Sequence, residues 1–297
     1  MALSGSYDYT QTRNDIITRA LRLCGVASIG ETPSASEIAN AATALESMTK
    51  AWQSQGIHLW KEQEGTLFVV DGTASYSLGP TGTNATKSFT QTTLSAAASD
   101  TDSTITVTSA TGISDTYNIG VVIDDDTIHW TTVNGAPAGT TVTLTDALDG
   151  DAASGNRVYV YESKIQRPLR ILNIRRRDTS DIDTRLDLIS RDEYFELTNK
   201  LDTGAPVQAY YDPQLTNGTL YLWPAPDTVD WQIKFTFLES FQDWDATSNE
   251  GDFPAEWVEA ITYNLAARIA LEYGIPSERV NMIKTEAREY LTGAMMF

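Results

Sequence analysis

The period of the apolar residues changes twice along the chain, and those two changes limit its fold more than any other feature. From Thr12 to Gly56 apolar side chains recur at three- and four-residue steps; from Glu64 to Leu238 they alternate; beyond Asp252 the longer step returns. A helix brings residues i and i+4 to one face and a strand brings i and i+2, so one run cannot serve both. The pattern predicts an α+β fold in which N- and C-terminal helices pack as one bundle and a central antiparallel β-region lies between them in sequence.

Local signals sharpen this. In "TRNDIITRALRLCG" Thr12 is placed to cap a helix with Asp15 three residues on, Ile16, Ala20 and Leu23 share a face, and Gly25 stops it. In "SASEIANAATALESMTKAWQSQG" Ser34 and Glu37 form a second capping box, with Ile38, Ala41, Leu45, Met48 and Trp52 as the stripe and Gly56 as the end. Near the other end Asp252 reads as a cap, Pro254 as a first-turn residue, Trp257, Ile261, Leu265 and Ile269 as the buried face, and Ser277 as the start of a last helix. A short capped helix is expected from Ser190 and Glu193 to Leu197.

In the β-region "TLFVVDGTASYSL" predicts a hairpin turning at Asp71-Gly72, and Asn217-Gly218 a second tight turn. Between them the composition shifts to Thr, Ser, Ala, Gly and Asp. Five alternating runs, from "STITVTS" to "RVYVYES", predict an inserted small β-sandwich or barrel. Residues 1–62 thus supply the N-terminal helices, 63–80 and 164–249 the two parts of the β-region, 81–163 the insert, and 250–297 the C-terminal helices and tail.

Chemistry is thinly supplied. One cysteine, Cys24, excludes an internal disulfide framework, and only His58 and His129 are available for imidazole chemistry. No G-x-S-x-G, G-x-x-x-x-G-K or H-E-x-x-H motif occurs, so no catalytic residue, cofactor or metal ligand is assigned and an enzyme is not expected. The most site-like stretch is "GVVIDDDTIHWTTV". In a strand Asp125 opposes Asp124 and Asp126, the alternate-acid pattern of a calcium loop is missing, and a solvated hairpin tip is the better reading. Tyr210, Tyr211, Tyr221, Trp223 and Trp231 suit either sugar stacking or a core, and alternation favours the core. Against a net charge of −19 one basic strip stands out. Lys164, Arg167, Arg170, Arg175, Arg176 and Arg177 lie together with no acid among them, and they suit either contact with a neighbouring subunit or partner, or a charged edge strand.

The stretches "IITRALRLCGVASIGETPSASEIANAATALESMTKAWQSQGIHLW" and "FPAEWVEAITYNLAARIALEYG", and more loosely "YYDPQLTNGTLYLWPAP", resemble the head-to-tail adaptor proteins of short-tailed bacteriophages, also called tail accessory factors or packaged-DNA stabilisation proteins. The resemblance covers both ends and leaves out residues 81–163. It implies a structural connector of the virion, a ring, expected to be a dodecamer, beneath the portal protein. The ring would extend the DNA channel, retain the packaged genome and carry tail nozzle and fibre proteins. Acidic charge suits passage of double-stranded DNA without tight binding, since phosphate affinity rests on Lys and Arg. No run of roughly 18 apolar residues suggests a membrane span, and no basic-then-apolar leader opens the sequence; assembly in the host cytoplasm and residence in the virion are expected. Leu291, Met295, Met296 and Phe297, apolar side chains on an acidic chain, are the candidates for portal contact, with Gly293 as a helix stop. The alternatives are a carbohydrate-binding tail component and, with less behind it, a cell-wall hydrolase.

Overall fold

The computed structural model describes residues 9–57 and 59–296 and is a mixed α+β protein with several, mostly antiparallel, sheets. Its helices are α1 (Arg13–Cys24), α2 (Ala35–Ser54), α3 (Arg191–Glu196), α4 (Val258–Ile269) and α5 (Ser277–Met295). Two compact units divide the chain: Met1–Leu59 with Phe241–Phe297, and Trp60–Ser240.

In the first unit, capping boxes start α1 and α2 because Thr12 and Ser34 accept the amides of Asp15 and Glu37 while those carboxylates accept the caps' own N–H groups. Gly25, at φ 77°, ends α1 in the left-handed region. α1 buries Ile16, Ile17, Ala20, Leu21 and Cys24, with Leu23 at the margin. Trp257, just before α4, and Ile261, Leu265 and Ile269 of α4 point inward, and α4 packs against α1, α2 and α5. The Trp52 and Trp257 rings meet edge-on with centroids 6.0 Å apart, and the Cys24 thiol donates to the Ala266 carbonyl at 3.3 Å. Burial pushes that thiol up to about 11, so it is inert packing at neutral pH. Two expectations are corrected. Asp252 does not cap α4, which follows a 3₁₀ turn, Ala255–Trp257, led in by Pro254; the Asp252 carboxylate accepts from the Gln242 amide. Nor does Gly293 stop α5, which runs through it to Met295.

The second unit holds the strands. In chain order these are β1 (Glu62–Phe68), β2 (Ser75–Leu78), β3 (Ala85–Thr86), β4 (Thr90–Thr93), β5 (Thr104–Thr106), β6 (Asn118–Val122), β7 (Ile128–Thr132) and β8 (Thr141–Thr143). They continue with β9 (Arg157–Tyr161), β10 (Arg170–Arg177), β11 (Asp183–Arg185), β12 (Asp187–Leu188), β13 (Gln208–Asp212), β14 (Gly218–Trp223) and β15 (Gln232–Leu238).

One sheet has the order β11-β10-β15-β1-β3 and a second β12-β13-β14-β2, and a shared core including Leu67, Tyr76, Leu78, Ile174, Leu220, Phe235 and Phe237 unites them. The hairpin expected at Asp71-Gly72 is therefore corrected. The turn forms, with Gly72 at φ 67°, but β1 pairs with β15 and β3 while β2 pairs with β14, so the turn carries the chain from one sheet to the other. Likewise β13 and β14 do pair, but around a longer loop; Gly218 already belongs to β14, where a side chain would strike the Tyr211 ring. Gly65 sits opposite Phe235, and a Cβ there would fall 2.7 Å from the ring.

Within 81–163 the order β4-β9-β6-β7 forms one sheet and β5-β8 another. Single bridges, Leu94 to Val107 and Val133 to Leu144, continue the ladders from β4 to β5 and from β7 to β8. Ile119, Val121, Val158 and Val160 point into a core with Ile105, Val107, Val142 and Leu144. The alternate residues Val122, Tyr159 and Tyr161 point the other way, onto Phe68 of β1 and Val229. An aromatic seam thus fastens this segment to the rest of its unit.

Candidate functional site

The acidic tip at 124–126 is occupied by its own turn. Asp125 accepts the Thr127 amide and hydroxyl at 3.1 and 2.6 Å, and Asp124 accepts the Ala153 amide and the Asn156 side chain at 2.9 and 2.7 Å. Asp126 takes the left-handed conformation at φ 66°, which Asp tolerates through local bonding. His129 points toward the insert core rather than toward the tip, its Nδ1 2.8 Å from Asp149. Among the described residues no three His, Cys, Asp or Glu side chains gather as a metal site would require. His58 lies outside the described residues.

The basic strip is broken up by its own fold. Lys164 is drawn inward, donating to the Gly82 carbonyl at 2.6 Å, and burial lowers its affinity for the proton. Arg167 reaches the Pro213 carbonyl at 3.5 Å, while the exposed Arg170 side chain has no polar partner among the described residues. Alternation on β10 sends Arg175 and Arg177 to one face and Arg176 to the other. Arg175 and Arg177 both bind Asp183 of β11, at 2.9 and 2.7 Å, and Arg175 also reaches Glu64 at 2.6 Å. Arg176 lies over the Trp231 ring and donates to the Pro206 carbonyl. The hydrogen bond from Arg177, with help from Arg175, holds the Asp183 carboxyl down at about 2. The edge-strand reading is corrected, since β10 lies between β11 and β15.

Tyr211 and Trp231 pack against the shared core, whereas Tyr210 and Tyr221 stack on the opposite face of β13 and β14, a correction to the expectation that alternation puts all of them in the core. Tyr210 and Tyr221 lie nearly parallel with centroids 5.6 Å apart, Tyr194 of α3 closes the group, and Tyr211 donates to the Pro168 carbonyl. At the other end of the chain Leu291 is half-buried, whereas Met295 and Met296 are 51% and 83% exposed. Phe297 lies outside the described residues.

Sequence reasoning missed a buried ionic group. Glu239 is 7% exposed and receives Lys61 at 3.5 Å and Lys87 at 3.1 Å. Lys234 of β15 is also buried and donates to Thr66 at 2.8 Å, its Nζ 4.7 Å from the centre of the Phe89 ring. These partners are separated by more than a hundred residues in sequence, so no local pattern announces them. No protein-family model matches the sequence, and no curated protein matches it.

Proposed function

We propose that this chain is a structural, non-enzymatic head-to-tail adaptor of a bacteriophage virion, a ring beneath the portal protein that extends the DNA channel and carries tail nozzle and fibre proteins. The observation that carries the reading is the pairing of the two stretches that resemble that family. Far apart in sequence, they belong to one compact unit in which α4 packs on α1 and α2. In this reading the four longer helices are a bundle, and 81–163 is a small barrel closed by its single bridges, a peripheral module added to the adaptor. The exposed Met295 and Met296 supply apolar surface for the portal, with Phe297 beyond them, and Met adapts to irregular grooves. Of the basic strip, Arg170 is the residue left available for a neighbouring subunit. The net charge of −19 supports free passage of DNA rather than its capture.

Electron microscopy of the purified protein mixed with the portal protein of its virion tests this. A ring seated on the portal is expected; a chain that neither forms a ring nor touches the portal would end the reading.

A further inference from the structure

At one end of the insert's four-stranded sheet, the start of β4, the end of β9 and the entry to β6 surround an open cleft of about 190 Å³ lined by Ser88, Phe89, Thr90, Gly112, Tyr117, Tyr161 and Glu162. We propose that this cleft binds one ring of a neutral pyranose sugar.

Its walls are aromatic and fixed. Tyr161 is buried, donates to Asn84 Oδ1 at 2.5 Å and rests against Trp130 with centroids 5.7 Å apart. Phe89 is held edge-on by Phe68 at 5.2 Å, and Tyr117 is half-exposed with its inner side on the insert core. Phe89 and Tyr117, both partly exposed, offer apolar ring surface to sugar C–H groups at little cost in side-chain entropy, and the buried Tyr161 is the fixed backing behind them.

The polar groups at the rim are uncommitted. The hydroxyls of Ser88, Thr90 and Tyr117 and the carboxylate of Glu162 have no hydrogen-bond partner among the described residues. Elsewhere on the insert several hydroxyls are spent on one another, Thr93 with Thr108 and Thr132 with Thr145. A carboxylate beside free hydroxyls is the set that recognises adjacent sugar hydroxyls, since an ionised acceptor makes the stronger bonds. Gly112 keeps the cleft open: at φ 82° it disfavours any side chain, and a Cβ there would lie 2.8 Å from Thr90 Oγ1.

Charge and size narrow the ligand. Glu162 is the charged side chain of the lining, and the insert around it holds ten acids against Lys87 and Arg157. Lys87 is engaged by Glu239, and Lys234, its Nζ 4.7 Å from the centre of the Phe89 ring, is buried and bound to Thr66, so acidic glycans and phosphates are repelled. The volume is below the roughly 300–1,000 Å³ of drug-sized sites, which suits a single ring.

Saturation-transfer NMR on the intact chain is the test, using methyl glycosides of glucose, galactose, mannose and N-acetylglucosamine at about 10 mM, a concentration matched to weak single-ring binding, with sialic acid as the anionic control. Transfer to at least one neutral glycoside and none to sialic acid is expected, and Glu162→Gln should weaken binding about tenfold. Tyr117 contacts the core, so Thr90→Val, at a half-exposed hydroxyl, serves as the second variant and should also weaken binding. The proposal is overturned if no neutral glycoside shows transfer, if sialic acid binds better, or if both variants bind as the parent does. None of these outcomes bears on the ring and portal.

Discussion

Asp183 shows how a single residue can absorb what reads in sequence as a recognition strip. Two guanidinium groups converge on it, so the charge of Arg175 and Arg177 is largely answered within the sheet. The Asp183 carboxyl titrates at about 2 in the folded chain against an ordinary 3.8, so the unfolded chain takes up its proton first as pH falls. Its contribution is therefore complete above about pH 4 and is lost between there and about pH 2. Asp183→Asn should cost about 0.5–1 kcal/mol at neutral pH, the scale of partly solvated ion pairs. The melting-temperature gap between parent and variant should close as pH is lowered through that window; a gap that persists at pH 2 would show that the pairs are not its source. The acidic tip makes the complementary case. Asn in place of Asp124, Asp125 and Asp126 keeps the acceptor oxygens and the tolerance for positive φ, and should hardly change stability. Ala at all three removes the acceptors for Ala153, Asn156 and Thr127 and should cost about 2 kcal/mol. Calcium titration followed by melting should leave the parent unmoved, and a calcium-dependent rise would restore the cation site rejected above.

Among the elements, two glycines give opposite expectations. Gly65 lies under Phe235, so Gly65→Ala must displace a packed ring and should destabilise by about 1–3 kcal/mol. Gly293 is within α5 with nothing near its missing Cβ, so Gly293→Ala should stabilise by about 0.5–1 kcal/mol through helix propensity. Chemical denaturation of both variants decides these signs, and a loss at position 293 would mean that the last turn is not helical in solution. The contrast also marks what sequence can show. Thr12, Ser34 and Ser190 announce their helices because a capping box is complete within four residues. The strands of the insert are legible for the same reason, period and turn residues being local. Asp71-Gly72 misled because a turn does not state which strand its neighbour will pair with, and β1 found β15 instead of β2. Alternation placed Tyr211 and Trp231 against the core but also put Tyr210, Tyr221 and Trp223 on the opposite face of their sheet, and nothing in the order of residues places Lys61 and Lys87 on Glu239, nor brings Phe89, Tyr117 and Glu162 to one cleft. Each depends on how separate segments pack.

For the molecule as a whole, the seam at Phe68 changes what removing the insert should do. A chain with Gly79 joined to Gln166 loses Tyr159 and Tyr161 from around Phe68 and Val229, leaving those apolar side chains open to water. It should aggregate on refolding, and replacing Phe68 and Val229 by Ser and Thr should restore a soluble chain; light scattering follows both. The opposite holds at the far end of α5. Met295 and Met296 are exposed, whereas Ala294 and Ile283 on the same helix are buried, so the packed side of α5 is complete before Met295. Met295 and Met296 are surface rather than core, and surface changes usually stay within about 0.5 kcal/mol, or less than about 2 °C for a chain of this size, which is the effect expected of deleting residues 295–297. In the proposed ring the same deletion removes an apolar contact from every subunit at once. Avidity multiplies a modest contact around a ring, and its removal multiplies the loss. The shortened chain should therefore melt as the parent does and fail to co-sediment with portal protein. A chain that melts several degrees lower while still binding portal would place these residues in the fold of the helical unit, and portal contact would then have to come from another exposed apolar side chain on α5, with Met282, 66% exposed, the first to replace.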